Sequence, residues 1–381
     1  MKRTNFLSVI AMSLLLAVVF GYACPRPTSA QANPLNPKTL KYEVDTSWPK
    51  PLPNLWVTGG IGGVCVNAKD HIFVLNRRDL TDNELDAGRQ APPVLEFDEA
   101  GTLVNSWGDP LTLPDSLHSC TFDKDGNIWL TGGLDGIIQK YRPDGKLLLQ
   151  IGKKGIVDST DGTLKGKALN SSHTALFKGS GIAIDPTNGD IYASDGETPG
   201  GNHRVVVFDK TGQYLRQWEL RRNPEEAGSP IADVVHCINM DNAGLVYVCD
   251  RLGHKLQVFN KRGEFQRDIL VKSNAVTPLS EEPNLSERVP RRPGSMGSVA
   301  NFAFSPDKGQ KYIYDLNEDV EQIDILDRLT GQVVAAFGRP GHQLGEFTWA
   351  HFIALDSKSN CYIGEVGWGK RIQRFKLVSR N

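Results

Sequence analysis

Apolar and polar residues alternate along most of this chain in short runs, separated by turns rich in Asp, Asn and Gly, and helical periodicity is scarce. Alternation of that kind predicts strands, each with two distinct faces. The pattern repeats at a period near 40 residues, the spacing expected of propeller blades. Six units can be aligned, starting at Gly62, His118, Ser180, His236, Ala300 and His351. Each reads as an alternating strand, a tight turn, a second strand ending near Asp or Arg, a third ending in Phe or Tyr, another turn and a fourth strand. Asp125-Gly126, Asp144-Gly145 and Thr211-Gly212 supply the positive φ that tight hairpins require. A four-stranded sheet with two apolar faces cannot bury both alone, so the units are expected to stack radially as an all-β, six-bladed β-propeller. The last unit stops at Leu377 after three strands. The segment Leu40 to Trp48, with Tyr42, Val44 and Trp48, is expected to supply the missing outer strand and close the ring, removing an exposed edge.

Residues outside the repeat change the picture in two ways. Lys2 and Arg3 precede an apolar run from Phe6 to Phe20, followed by Thr28-Ser29-Ala30, so residues 1–30 read as a signal peptide cleaved after Ala30. Residues 31–381 then form one propeller domain, periplasmic or secreted, with no transmembrane span. Cys24 stands in a Gly21-Tyr22-Ala23-Cys24 context that lacks the apolar residue of a lipoprotein box, which argues against a lipid anchor. Two insertions interrupt the repeat: Gly155 to Lys178, and Ser273 to Gly297, the second with the composition of a surface loop.

Composition narrows the function classes. Thirty-eight glycines, 22 prolines and only 4 methionines agree with many short strands, and a net charge of -1 without a basic stripe gives no reason to expect nucleic acid. Beyond the leader stand five cysteines, so at least one thiol is expected to stay unpaired. Cys237 and Cys249 flank a predicted hairpin, but spacing alone does not fix the pairing.

Three histidines carry the chemistry. His118, His236 and His351 occupy one register, each five residues before the turn-entry residues Asp123, Asp241 and Asp356, and they lie 118 and 115 residues apart. They therefore fall in blades two, four and six. Inner strands line the central channel, so the three imidazoles are expected to converge about a pseudo-three-fold axis. Gly62, Ser180 and Ala300 hold the same register in the other blades and leave room. A His₃ set with an open fourth position is the geometry of a catalytic zinc site.

The repeats are similar to NHL repeats, and with the phased histidines the chain resembles peptidyl-α-hydroxyglycine α-amidating lyase, the zinc propeller that releases glyoxylate to complete C-terminal amidation. The resemblance runs from Gly59 to Leu377. It implies that His118, His236 and His351, in LHSCTFDKDGNIWL, VVHCINMDNAGLVYVCDR and AHFIALDSKSNCYIGE, are zinc ligands. Arg77, in VLNRRD, and Arg251, in VCDR, match active-site arginines. Three positions depart from the family. Ser194-Asp195-Gly196-Glu197 lacks the tyrosine that follows Ser-Asp-Gly as proposed base, Phe352 replaces a carboxylate associated with structural calcium, and Trp349 replaces a methionine. The carboxylate's loss argues against that calcium.

On this reading Arg77 holds a substrate carboxylate by a bidentate contact, and Glu197, the one titratable side chain in the segment replacing the tyrosine, is the candidate base. The expected partner is a small-molecule or peptide substrate in the central channel, handled by a monomer. Two other classes stay open: a non-catalytic binding or scaffold propeller, and a lactonase-like metallohydrolase, whose calcium-binding Glu, Asn and Asp are absent from the inner-strand phase here.

Overall fold

The computed structural model describes residues 40–221, 234–272 and 296–380. The leader, with Cys24 and the cleavage site, and nearly all of the second insertion lie outside them. Six four-stranded antiparallel sheets form the ring, in the order the repeat implies. Blade one is Ile61–Val66, Ile72–Asn76, Val94–Phe97 and Leu103–Trp107 from the axis outward. The inner strands of the next five blades are Leu117–Phe122, Gly179–Ile184, Val235–Met240, Asn301–Phe304 and Ala350–Leu355. Their second strands are Ile128–Gly132, Ile191–Asp195, Val246–Asp250, Tyr312–Asn317 and Cys361–Glu365.

Local chemistry explains the hairpins. At the turn-entry position Asp123 Oδ1 accepts from the amides of Asp125 and Asn127 at 3.0 and 2.9 Å, and Asp241 and Asp356 repeat the arrangement in blades four and six. Gly126, three residues after Asp123, has φ of 78°, which a side chain would strain.

The ring closes as expected. Leu40–Val44 pairs antiparallel with the C-terminal strand Ile372–Arg380, bringing Tyr42 opposite Leu377 and Val44 opposite Phe375. Tyr42 stacks on Phe337, with ring centroids 4.6 Å apart, and its hydroxyl donates to Ser359 O. Trp48 lies beyond the strand and wedges between Phe97 of blade one and Tyr362 of blade six, at 5.7 and 4.9 Å. Burying two such aromatics contributes on the order of 2–3 kcal/mol each to holding the first and last blades together.

Two pieces are not part of the repeat. Between the second and third strands of blade one, a short helix, Asp82–Ala87, is capped reciprocally by Thr81 and Glu84, and Trp56–Val57 forms a small parallel ladder with Arg89–Gln90. The first insertion is tied down rather than loose: buried Asp158 pairs with Arg204 at 2.9 Å and accepts from Asn202 Nδ2 at 3.0 Å.

Cys65–Cys120 joins the inner strands of blades one and two, Cys237–Cys249 joins the first two strands of blade four, and among the described residues the unpaired thiol is buried Cys361. Disulfides of this kind indicate an oxidising, extracytoplasmic compartment. Among the described residues no helix is long and apolar enough to cross a membrane.

Candidate metal centre

The inner strands bulge where the histidines stand. Pairing with the second strand slips between Leu117 and Ser119, between Val235 and Ile238, and between Ala350 and Phe352. A bulge leaves one residue out of the ladder and re-aims its side chain. His118, His236 and His351 are those residues or lie within the slip, and all three are buried. Their rings meet, with centroids 4.7, 4.9 and 5.3 Å apart. Past them the inner strands line a cavity of about 250 Å³, walled by Val64, Ile182, Met240, Phe304 and Phe352.

Each histidine leans on the next blade. Nδ1 of His118 lies 2.6 Å from Ser180 O, that of His236 2.5 Å from Ala300 O, and that of His351 3.1 Å from Gly62 O. A carbonyl only accepts, so Nδ1 carries a proton and each ring turns its Nε2 to the centre. The small residues of the odd blades thus do more than leave room: their backbones orient the imidazoles. Burial first, then the positive field of Arg251, pushes the His236 pKa well below its ordinary value; burial, the neighbouring imidazoles, Arg77 and Arg251 do the same for His351.

Glu197 completes the cluster. It follows the second strand of blade three through Gly196, whose φ is 142° and where a Cβ would lie 1.7 Å from Asn202 O. Gly133 opens the space on the other side, since a Cβ there would lie 2.6 Å from Glu197 Oε2. Glu197 Oε1 then reaches within 3.2 Å of His118 Nε2 and 3.9 Å of His236 Nε2. Burial opposes its ionisation, but His118, His236 and Arg77 outweigh that and hold the carboxyl well below the usual range.

The four donor atoms lie within 4.8 Å of one another. Neither His118 Nε2 nor His236 Nε2 has a hydrogen-bond partner although both are buried. Converging lone pairs beside a carboxylate repel unless a cation or proton sits among them, so the donor set fits a metal ion. Tetrahedral zinc needs donors about 3.4 Å apart, a closure of no more than about 1.4 Å.

A charged rim surrounds the cluster at the ends of the second strands. Arg77 follows blade one's and donates from Nε to Leu117 O at 3.1 Å; Arg251 follows blade four's, with Nη1 3.5 Å from Glu318 Oε2. Burial depresses the Arg77 pKa, opposed by Glu197, Asp79 and Glu318. Glu318, which follows blade five's second strand, was not singled out by the sequence, although it stands at the register of Arg77 and Arg251. Trp349, notable in the sequence only as a departure, donates from Nε1 to Glu318 Oε1 at 3.2 Å. Phe352 is buried against the histidines and offers no ligand oxygen in place of a carboxylate.

No family model matches the chain. It is 24% identical over 349 residues to human NHL repeat-containing protein 3, covering 88% of this chain and 84% of that protein. It is 27% identical over 267 residues to peptidyl-glycine alpha-amidating monooxygenase B of Xenopus laevis, covering 65% of this chain but only 28% of that longer protein. Among solved structures a streptogramin B lyase superimposes with a TM-score of 0.51 at 12% identity, covering 89% of this chain and 98% of that one, a likeness of fold alone.

Proposed function

We propose, from its being an NHL-repeat six-bladed propeller distantly related to NHL repeat-containing protein 3 and to peptidyl-glycine alpha-amidating monooxygenase, that this chain is an exported, zinc-dependent lyase. Its substrate is a peptidyl- or N-acyl-α-hydroxyglycine, cleaved to the amide and glyoxylate. The observation that carries this reading is the convergence of three Nε2 atoms, each fixed by a carbonyl at Nδ1, with Glu197 on one buried point.

When bound, zinc would lower the pKa of a coordinated substrate hydroxyl. His118, His236 and His351 would hold it, and Glu197 stands within reach as a further oxygen donor. Arg77, beside the strand that carries His118, is suited to fix the substrate carboxylate by charge-assisted contact. The reaction moves the hydroxyl proton to nitrogen as the carbon–nitrogen bond breaks; no oxidant is needed.

A second reading, a non-catalytic binding propeller, is favoured by one observation: no tyrosine stands in the segment from Gly196 to His203. Glyoxylate assay of the zinc-loaded protein with a synthetic N-acyl-α-hydroxyglycine separates the two. Stoichiometric glyoxylate and amide are expected. Metal binding without product would leave the binding propeller as the correct reading.

A further inference from the structure

On the rim around the histidines a buried glutamate and a half-buried arginine form a long ion pair, and each keeps a buried polar atom without a hydrogen bond. Glu318 is 2% exposed; its Oε1 is held by the Trp349 indole, whereas Oε2 has no hydrogen-bond partner. Arg251 lies 3.5 Å away through Nη1, yet its own Nε is also without a partner. Leaving such atoms unpaired in a buried place costs about 1–3 kcal/mol each, and sites that persist at that cost are commonly completed by a ligand. Both residues directly follow second strands, on the rim that also presents Arg77 and Glu197.

The two carboxyls of the rim differ. Glu197 lies against His118, among the donor atoms of the histidine cluster. Glu318 is pushed up to about 7 by burial, with Glu197 and Asp319 adding to the rise and Arg251 and the Trp349 hydrogen bond opposing it. Arg77 also shares this field. A buried carboxyl outside the donor cluster that titrates near neutrality can both accept and return a proton.

We propose that Glu318 is the proton-transfer residue of this site, with its Oε2, ion-paired to Arg251 but making no hydrogen bond, taking the substrate's hydroxyl proton and delivering it to the departing amide nitrogen, and Arg251 holding the carboxylate in place. The assignment rests on the lyase reading above, and it moves the base from Glu197 to a residue of blade five. The balance is internal. The O–H bond breaks and its electrons form the aldehyde C=O; the C–N electrons go to nitrogen, which takes the proton from Glu318, returning the carboxylate.

The test uses zinc-loaded full-length protein, wild type, Glu318→Gln and Glu318→Asp, with a synthetic N-acyl-α-hydroxyglycine. Glu318→Gln should keep its metal stoichiometry and strand content and a KM within about threefold, while kcat falls by about 10²–10⁴-fold and the near-neutral limb of the pH profile disappears. Glu318→Asp should recover part of kcat and restore that limb. A readout independent of turnover is the infrared difference between metal-free wild type and Glu318→Gln: a protonated-carboxyl band should vanish as pH rises through neutrality. Wild-type turnover with an unchanged kcat and pH profile in Glu318→Gln, or no titrating band, overturns the proposal and leaves the lyase reading intact. A metal-loaded wild type that releases no glyoxylate overturns both.

Discussion

Odd and even blades are built from one repeat but treat the channel differently. Blades two, four and six place a histidine at the inner-strand bulge; blades one, three and five place Gly62, Ser180 and Ala300 at the matching register and turn a backbone carbonyl to the neighbouring imidazole. A six-fold ring thereby becomes a three-fold cup, with three imidazole rings and three fixed seats. Position-by-position similarity hides this, because the odd positions contribute through the backbone and their side chains matter mainly by being small.

Enlarging an odd position should break the alternation most severely. A Cβ at Gly62 would lie 1.8 Å from Leu117 O and 2.8 Å from Arg77 Nε. Gly62→Val should therefore cost roughly 4 kcal/mol or more, shifting the urea midpoint strongly and disturbing His351 and Arg77 together.

Blade five sharpens the comparison, because not every orphaned polar group there serves a site. Asp315 is buried with neither carboxyl oxygen hydrogen-bonded. Burial, then Asp324, raises its pKa well above the carboxylate range, so the native state binds this proton more tightly than the unfolded chain does. Stability should thus be favoured at low pH and fall as pH rises from the unfolded carboxylate value of about 4. Asp315→Asn should remove that fall, gaining about 1–3 kcal/mol at pH 8 and little near pH 3, as thermal melts at both pH values can measure. An unchanged difference across that range would mean Asp315 has a partner after all.

The mildest change is Ser180→Ala. It deletes the hydroxyl that donates to Val235 O at 2.6 Å but spares the carbonyl that seats His118. A loss of about 1 kcal/mol with unchanged metal content is expected from denaturation and metal analysis. A large drop in metal content would show that side chains, not backbones, seat the ligands.

Much of this was legible in the sequence because the repeat ties position to place. The shared register of His118, His236 and His351 located their meeting point, and alternation at Tyr42 and Val44 located the closing strand. What stayed hidden depends on backbone detail that residue type does not record. Glu197 reaches the histidines through the φ of Gly196 and the space at Gly133, neither visible as a motif. It reads in sequence as a base and lies in the structure among the ligand atoms. Disulfide pairing had the same obstacle: Cys65 and Cys120 are 55 residues apart and meet only because adjacent inner strands do. Glu318 is the instructive omission. Its equivalence to Arg77 and Arg251 lies in the same register that phases the histidines, but a lone glutamate at a strand end carries no motif of its own.

Metal analysis of protein purified without chelator tests the central claim most directly, for the native chain and for His118→Ala, His236→Ala and His351→Ala in parallel. The account predicts close to one transition-metal ion per native chain, with affinity falling at least about 10²-fold in each variant while circular dichroism retains the strand signal, since blade packing and not metal carries the core. A native protein that arrives without metal and does not take up added zinc would contradict it, leaving three histidines packed around a channel that holds no ion.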